Sequence, residues 1–182
     1  MKFLATPIPD VMVIEPQVFG DERGFFMETW RGDKFATAGI DAAFDQDNHS
    51  RSAQGVLRGL HYQLPNPQGK LARVVAGAVF DVVADLRRGS PTFGRWFGVE
   101  LSAQNRRMLW APPGMAHGFL VLSPSADFLY KCSGLYSPAD ERAVRWDDPT
   151  LAIDWPLAAG QQPTLSAKDA VAPLLAEAML FP

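Results

Sequence analysis

Glycine and proline interrupt this chain so often that a long helix has nowhere to form. Fifteen of each occur in 182 residues, and they bracket apolar runs of only a few residues. Proline fixes φ and removes a backbone donor, while glycine takes turn conformations that other residues resist. Such punctuation predicts short strands joined by turns. "VMVIEPQVFG" reads as a strand stopped by proline, "GFFMETW" as another, and "AFDQDNHS" as a strand running into a polar turn. "RRMLWAPPGMAHGFLVLS" and "ADFLYKCSGLYS" supply more, and "DKFATAGI" reads as a short helix ended by Gly39. In the central run Val74, Ala76, Ala78, Phe80, Val82 and Ala84 alternate with Arg73, Val75, Val79, Asp81, Val83 and Asp85, the period of a half-buried strand. A longer helix is expected only in the tail, where Ser166 precedes "AKDAVAPLLAEAML" with Pro173 in its second turn. The expected fold is one domain over residues 1–182: mainly β, an antiparallel sandwich or small barrel of jelly-roll type. Short helices flank it, one of them at the C-terminus.

Charge narrows the partners. A formal net charge of -3 argues against general nucleic-acid or anionic-membrane binding, so an anionic ligand must be met by a few placed cations. The single cysteine, Cys132, forbids an internal disulfide and a thiolate cluster; it reads as a small core residue. No apolar run approaches a membrane span, and "MKFLATPIPDV" lacks the apolar core of a signal peptide, so a soluble, cytoplasmic protein is expected.

The stretch "VLRGLHYQLPNPQGK" gathers Arg58, His61, Tyr62, Gln63 and Lys70 around one proline-rich loop, as either a metal site or an anion pocket would. Gly55 precedes His61 by six residues, Lys70 precedes Gly77 by seven, and "PPGMAH" sets Pro112, Gly114 and His117 in order. This spacing resembles the two segments of a cupin, a double-stranded β-helix. Metal-binding cupins carry His-x-His and then a glutamate in the first segment; here those positions hold Gln63 and Lys70. His61 and His117 alone leave a divalent ion half coordinated. An inward lysine ~4 Å from a unit positive charge is repelled by about 4 kcal/mol at an effective dielectric near 20, and roughly twice that by a dication. The expected site is therefore metal-free and receptive to an oxyanion, with no cofactor.

"DERGFFMETW", "QDNHSRS", "GVLRGLHYQ", "QGKLARVV", "PPGMAHGF", "FLYKCSGLYSP", "RWDDP" and "LSAKDA" follow one another along nearly the whole chain. In this order they closely resemble the dTDP-4-dehydrorhamnose 3,5-epimerases, sugar-nucleotide isomerases of L-rhamnose biosynthesis. Epimerisation beside a ketone needs a base on one face, a group that stabilises the enolate, and an acid on the other face. His61 is the candidate base, because a histidine side chain ordinarily titrates near ~6.5 and is available near neutrality. The resemblance implies that Asp169 pairs with it, fixing its tautomer. Lys70 is the candidate electrophile. Tyr130 is by resemblance the acid, with a neighbouring Lys70 charge easing loss of its proton. The resemblance further implies sugar-nucleotide contacts from Arg23, Glu28, Gln46, Asn48, Arg58, His117, Glu141 and Lys168, and stacking of Tyr136 on thymine. Guanidinium and ammonium groups suit a diphosphate, and a flat ring suits a base. It also implies a homodimer to which the N-terminal 30 or so residues contribute, with Arg23 and Glu28 completing the neighbour's pocket.

Simpler readings stand beside these. Asp169 lies three residues after Ser166 and could serve a capping box; Lys70 could be a turn lysine, Tyr130 and Tyr136 core aromatics, and Arg23 a partner of Glu22 or Glu28. Arg58 and His61 have opposite parity along a strand, so both reach one pocket only if the chain bulges, with Gly59 the expected place. "KCSGL" between the tyrosines departs from the family pattern and leaves strict choice of thymine open. Three other functions remain: an epimerase acting at one carbon only, a metal-dependent cupin oxygenase or isomerase, and a non-catalytic sugar-nucleotide module.

Overall fold

The computed structural model describes all 182 residues. Thirteen strands and two short helices follow one another: β1 (Lys2–Ala5), β2 (Met12–Glu15), β3 (Val18–Asp21), β4 (Gly24–Met27), α1 (Gly32–Thr37), β5 (Gln46–Ala53), β6 (Leu57–Gln63), β7 (Lys70–Ala76), β8 (Ala78–Asp85), β9 (Trp96–Ser102), β10 (Met108–Ala111), β11 (Met115–Val121), β12 (Ser125–Cys132), β13 (Glu141–Ala143) and α2 (Ala167–Ala170). They form a six-stranded sheet in the order β1-β2-β10-β7-β12-β5 and a five-stranded sheet in the order β13-β6-β11-β8-β9. A separate β3-β4 ribbon stands beside them. Every pairing between these strands is antiparallel, and the two sheets make a jelly-roll sandwich of the cupin kind.

The sandwich core comes from both inner faces. Val13, Ala72, Val74, Leu109 and Phe128 of the six-stranded sheet pack against Val79, Val83, Leu101, Phe119 and Val121 of the other. The outer face of the five-stranded sheet is covered as well, by Leu151, Trp155, Leu175 and Phe181 packing on Val82, Ala84, Ala116 and Leu120. Strands β8 and β11 are thus buried on both sides, which is why they read as nearly continuous apolar runs. Helix α1 sets Phe35 against Ile14 and Met108 on the outside of the six-stranded sheet.

Two expectations need correction. The run from Val74 to Ala84 is not one strand with one inward face: the chain turns at Gly77, and β7 and β8 join different sheets. Val74 faces the same core as Val79 and Val83, while Val82 and Ala84 point the other way, so parity reverses at the turn. Gly77 adopts φ +75°, and a β-carbon there would lie 2.0 Å from the Ser125 carbonyl oxygen, so only glycine fits this crossover. The tail, in turn, is helical only over Ala167–Ala170. Pro173 cannot donate to a continuing helix, and its carbonyl accepts from Arg145 N–H instead. The remaining apolar residues wrap the five-stranded sheet through turns, burying Ala172, Leu175, Ala178 and Phe181.

Candidate active site

A cavity of about 600 Å³ opens between the two sheets. The six-stranded sheet contributes Gln46 and Asn48 from β5, Lys70 from the start of β7, and Tyr130 and Cys132 from β12. The five-stranded sheet contributes Arg58 and His61 from β6, His117 from β11 and Glu141 from β13; Tyr136, Lys168 and Asp169 close the rim. Period-two alternation explains the first group. Gln46 and Asn48 share one side of β5, and Lys70 shares the inward side of β7 with Ala72 and Val74.

Arg58 and His61 share the cavity because β6 bulges. His117 stands opposite His61 and Phe119 opposite Arg58, so three steps on β6 match two on β11. Gly59, at φ +125°, lies at the bulge, where a β-carbon would approach Gly118 Cα to 2.5 Å and the His117 carbonyl oxygen to 2.8 Å. Arg58 is steadied by Ser52, its Nε donating to the Ser52 hydroxyl at 3.0 Å.

His61 Nε2 lies 2.5 Å from Asp169 Oδ1. With a carboxylate accepting from Nε2–H, Nδ1 carries the lone pair a base needs. Burial works against the Asp169 charge, but the His61 and Ser166 hydrogen bonds and the Lys168 charge outweigh it and hold the carboxyl below the usual range. Asp169 also resolves the capping question. Its backbone N–H donates to the Ser166 hydroxyl at 3.1 Å while its carboxylate meets His61, so the helix cap and the His61 pair draw on different atoms of one residue.

Lys70 is partly buried and its Nζ donates to the His61 carbonyl oxygen at 3.3 Å, crossing from one sheet to the other. Burial lowers its pKa, against the opposing influence of Cys132, Asp81 and Glu141. The Tyr130 phenol is shifted up, chiefly by burial and by Cys132, with Arg58 pulling the other way.

At the rim Glu141 ties two residues together: Lys168 Nζ donates to Oε1 at 2.6 Å and the Tyr136 hydroxyl to Oε2 at 3.0 Å. Burial alone would raise the Glu141 carboxyl, but Lys168, Tyr136 and His61 lower it. Gln46 steadies the same loop by accepting from Tyr136 N–H at 2.8 Å and donating to Asn48 at 2.9 Å. Tyr136 itself is about half exposed.

Two expected residues lie elsewhere. Arg23 sits in the β3-β4 turn, largely exposed and paired with Asp21 at 2.5 Å rather than with Glu22 or Glu28; Glu28 accepts from Lys34 at 2.7 Å. Neither lines the cavity of its own chain. Sequence reading also missed a residue. Asp81 is fully buried, and His117 Nε2 lies 2.8 Å from its Oδ1, making a second His–Asp pair. An aspartate inside the apolar "VFDVVAD" was the available signal. Cys132 is buried as expected, yet it also lines the cavity, its sulfur 3.6 Å from Asn48 Nδ2.

No three His, Cys, Asp or Glu side chains converge as a metal shell. Gln63, in the position of a second cupin histidine, has its amide committed to the loops, donating to the Asn66 and Leu135 carbonyls and accepting from Ser137 N–H. The jelly-roll pocket thus sets a histidine of one sheet, paired with the Asp169 carboxylate, and a tyrosine of the other sheet around one cavity. The dTDP-4-dehydrorhamnose 3,5-epimerase family model matches residues 5–177. An enzyme of that name from Pseudomonas aeruginosa is 55% identical over the full length of both chains. The crystal structure of a dTDP-6-deoxy-D-glucose-3,5-epimerase from Legionella pneumophila in complex with dTDP-4-keto-L-rhamnose superposes with a TM-score of 0.93 at 54% identity. That match covers 97% of this chain and 93% of the other. A 3′-monoepimerase from Streptomyces bikiniensis, in complex with dTDP-quinovose, is 40% identical with a TM-score of 0.88, covering 95% and 87%. The chain belongs to the dTDP-4-dehydrorhamnose 3,5-epimerase family and is an isomerase.

Proposed function

We propose that the protein epimerises dTDP-4-dehydro-6-deoxy-D-glucose at C3 and C5 to dTDP-4-dehydro-L-rhamnose. His61 removes the proton beside the ketone, Asp169 stabilises the imidazolium that forms, Lys70 faces the developing enolate oxygen, and Tyr130 returns a proton to the opposite face. The observation that carries this reading is the His61–Asp169 pair across the cavity from Tyr130, with Lys70 reaching between the sheets. A positioned base contributes roughly 10²–10⁴ in rate, and one preorganised donor to an oxyanion about 10²–10³. Gln46, Asn48, Arg58, His117, Glu141 and Lys168 hold the sugar nucleotide, and Tyr136 stacks on the base. None of these steps calls for a cofactor, and a cytoplasmic setting suits a soluble nucleotide sugar; no helix is long and apolar enough to cross a membrane.

Incubation with the keto-sugar in D₂O should place deuterium at both carbons, and absence of label at both would reject the reading. The likeness to a 3′-monoepimerase favours one alternative, inversion at a single carbon; label at C3 alone would decide for it.

A homodimer suits the β3-β4 ribbon, which leaves Phe19, Phe25 and Phe26 more than half exposed. In the dimer Arg23 and Glu28 would complete the neighbour's pocket. Sedimentation velocity should give twice the monomer mass, and a monomer with full activity would refute this part.

A further inference from the structure

We propose, building on the epimerase reading, that Asp81 is a positioning residue: its buried carboxylate orients His117, and its unpartnered oxygen serves as the counterion of Lys70. Two aspartates of one strand behave differently. Asp81 and Asp85 both lie on β8 and both are 0% exposed. Burying a carboxylate is costly unless its lone pairs are used. Those of Asp85 are used fully: Arg87 donates to both oxygens at 2.9 Å, Ser90 at 2.6 Å and Thr92 at 2.7 Å, and Arg87 N–H adds a further bond. Asp85 holds a loop together. Asp81 has only His117, at 2.8 Å to Oδ1, and its buried Oδ2 has no hydrogen-bond partner. A fold that needed only to fill this place would do better with an apolar residue, so the half-used carboxylate calls for another explanation.

Its surroundings supply one. His117 stands in register with His61 across the β6-β11 pair and packs its ring on Phe128, so the Asp81 bond completes the fixing of a ring that lines the cavity. Accepting from Nε2–H, Asp81 selects the tautomer whose Nδ1 is an acceptor. The groups acting on Lys70 are Cys132 from β12, Asp81 from β8, Glu141 from β13 and Lys168 from α2. Glu141 is already committed to Lys168 and Tyr136. Asp81 is thus the carboxylate with capacity to spare. Burial pushes the Asp81 carboxyl up and the Lys70 ammonium down; His117 and then Lys70 act on the aspartate in the opposite sense, as Cys132 and then Asp81 do on the lysine. No hydrogen bond joins Lys70 and Asp81, so the effect is through space.

The test is Asp81→Asn, which keeps an acceptor for His117 and removes the charge. The variant should fold with stability equal to or above that of the parent, because a costly buried charge is gone. Its affinity for dTDP should be unchanged, and its kcat for deuterium exchange should fall about tenfold or more at neutral pH. The alkaline limb of the kcat–pH profile should move to lower pH by about one to two units, because Lys70 loses its countercharge. NMR titration of ε-¹³C-lysine should show Lys70 moving in the same direction. Asp85→Asn is the contrasting case, losing stability with its alkaline limb in place. An Asp81→Asn protein that fails to fold, or one whose alkaline limb and Lys70 titration both stay put, would overturn the proposal. If the parent protein exchanges no solvent deuterium, the epimerase reading fails; the lysine titration still decides whether Asp81 supports the Lys70 charge.

Discussion

Gly59→Ala is the sharpest perturbation of the site, because it attacks the bulge that brings Arg58 and His61 together without touching a polar group. Gly59 has φ +125°, a region that side chains with a β-carbon resist, and holding alanine there costs about 1–3 kcal/mol. The new carbon would also stand 2.5 Å from Gly118 Cα and 2.8 Å from the His117 carbonyl oxygen. Both are backbone atoms of a strand buried on both faces, so relief requires β6 and β11 to separate, adding about 1–3 kcal/mol. The sum, about 2–6 kcal/mol, corresponds in a chain of this length to a Tm lowered by about 5–20 °C. Gly55→Ala separates the two contributions. Gly55 also has a left-handed φ, +77°, but a β-carbon there would meet nothing within 4 Å, so only about 1 kcal/mol should be lost. Differential scanning calorimetry of the two variants measures the contrast. Deuterium exchange, assayed well below each Tm, should fall in Gly59→Ala further than the folded fraction explains, because His61 and Arg58 no longer share a register. Equal Tm losses in the two variants, or full exchange in Gly59→Ala, would refute the account of the bulge.

Asp169→Asn should reduce kcat for exchange by about 10³–10⁴ with dTDP binding retained, because an amide in place of the carboxylate no longer enforces the tautomer with a free Nδ1; single-turnover exchange followed by NMR measures this, and a loss under tenfold would count against His61 as base. Asp85, held at about 2 by Arg87, Ser90 and Thr92 against burial, has a folded pKa below its unfolded value near ~3.9. It therefore contributes stability that is present above about pH 4 and lost as pH falls toward 2, and acid unfolding monitored by circular dichroism should show Asp85→Asn lacking that part of the pH dependence.

Local pattern alone was enough for much of this protein. Proline after Glu15 ends β2 as expected, whereas "AFDQDNHS", read as a strand running into a polar turn, leads into β5, whose strand runs on through those polar residues from Gln46 to Ala53. Once likeness to the family puts Arg58 and His61 in one pocket, their opposite parity locates a bulge, since an intervening glycine is where such a step fits. These features depend on backbone geometry within a few residues, and that geometry is written in residue type. The pairing of His61 with Asp169, 108 positions away, was legible only through likeness to a family.

What tertiary structure decided involves the meeting of distant elements. Nothing in the alternation of residues 73–85 states that the chain changes sheets at Gly77; the constraint is the Ser125 carbonyl, contributed from the start of β12. The tail carries helix-like spacing, yet its apolar residues are claimed by the outer face of the five-stranded sheet once Pro173 stops the helix. Whether Arg23 and Glu28 serve a pocket depends on where the β3-β4 ribbon projects, and within one chain it projects away. Asp81 is the clearest instance. In sequence it is one polar residue in an apolar strand; only the packing of β8 beside β11 shows that it is buried against His117 with an oxygen unused. Burial and partner are properties of the assembled sheets, because the energy of a charge depends on everything that surrounds it.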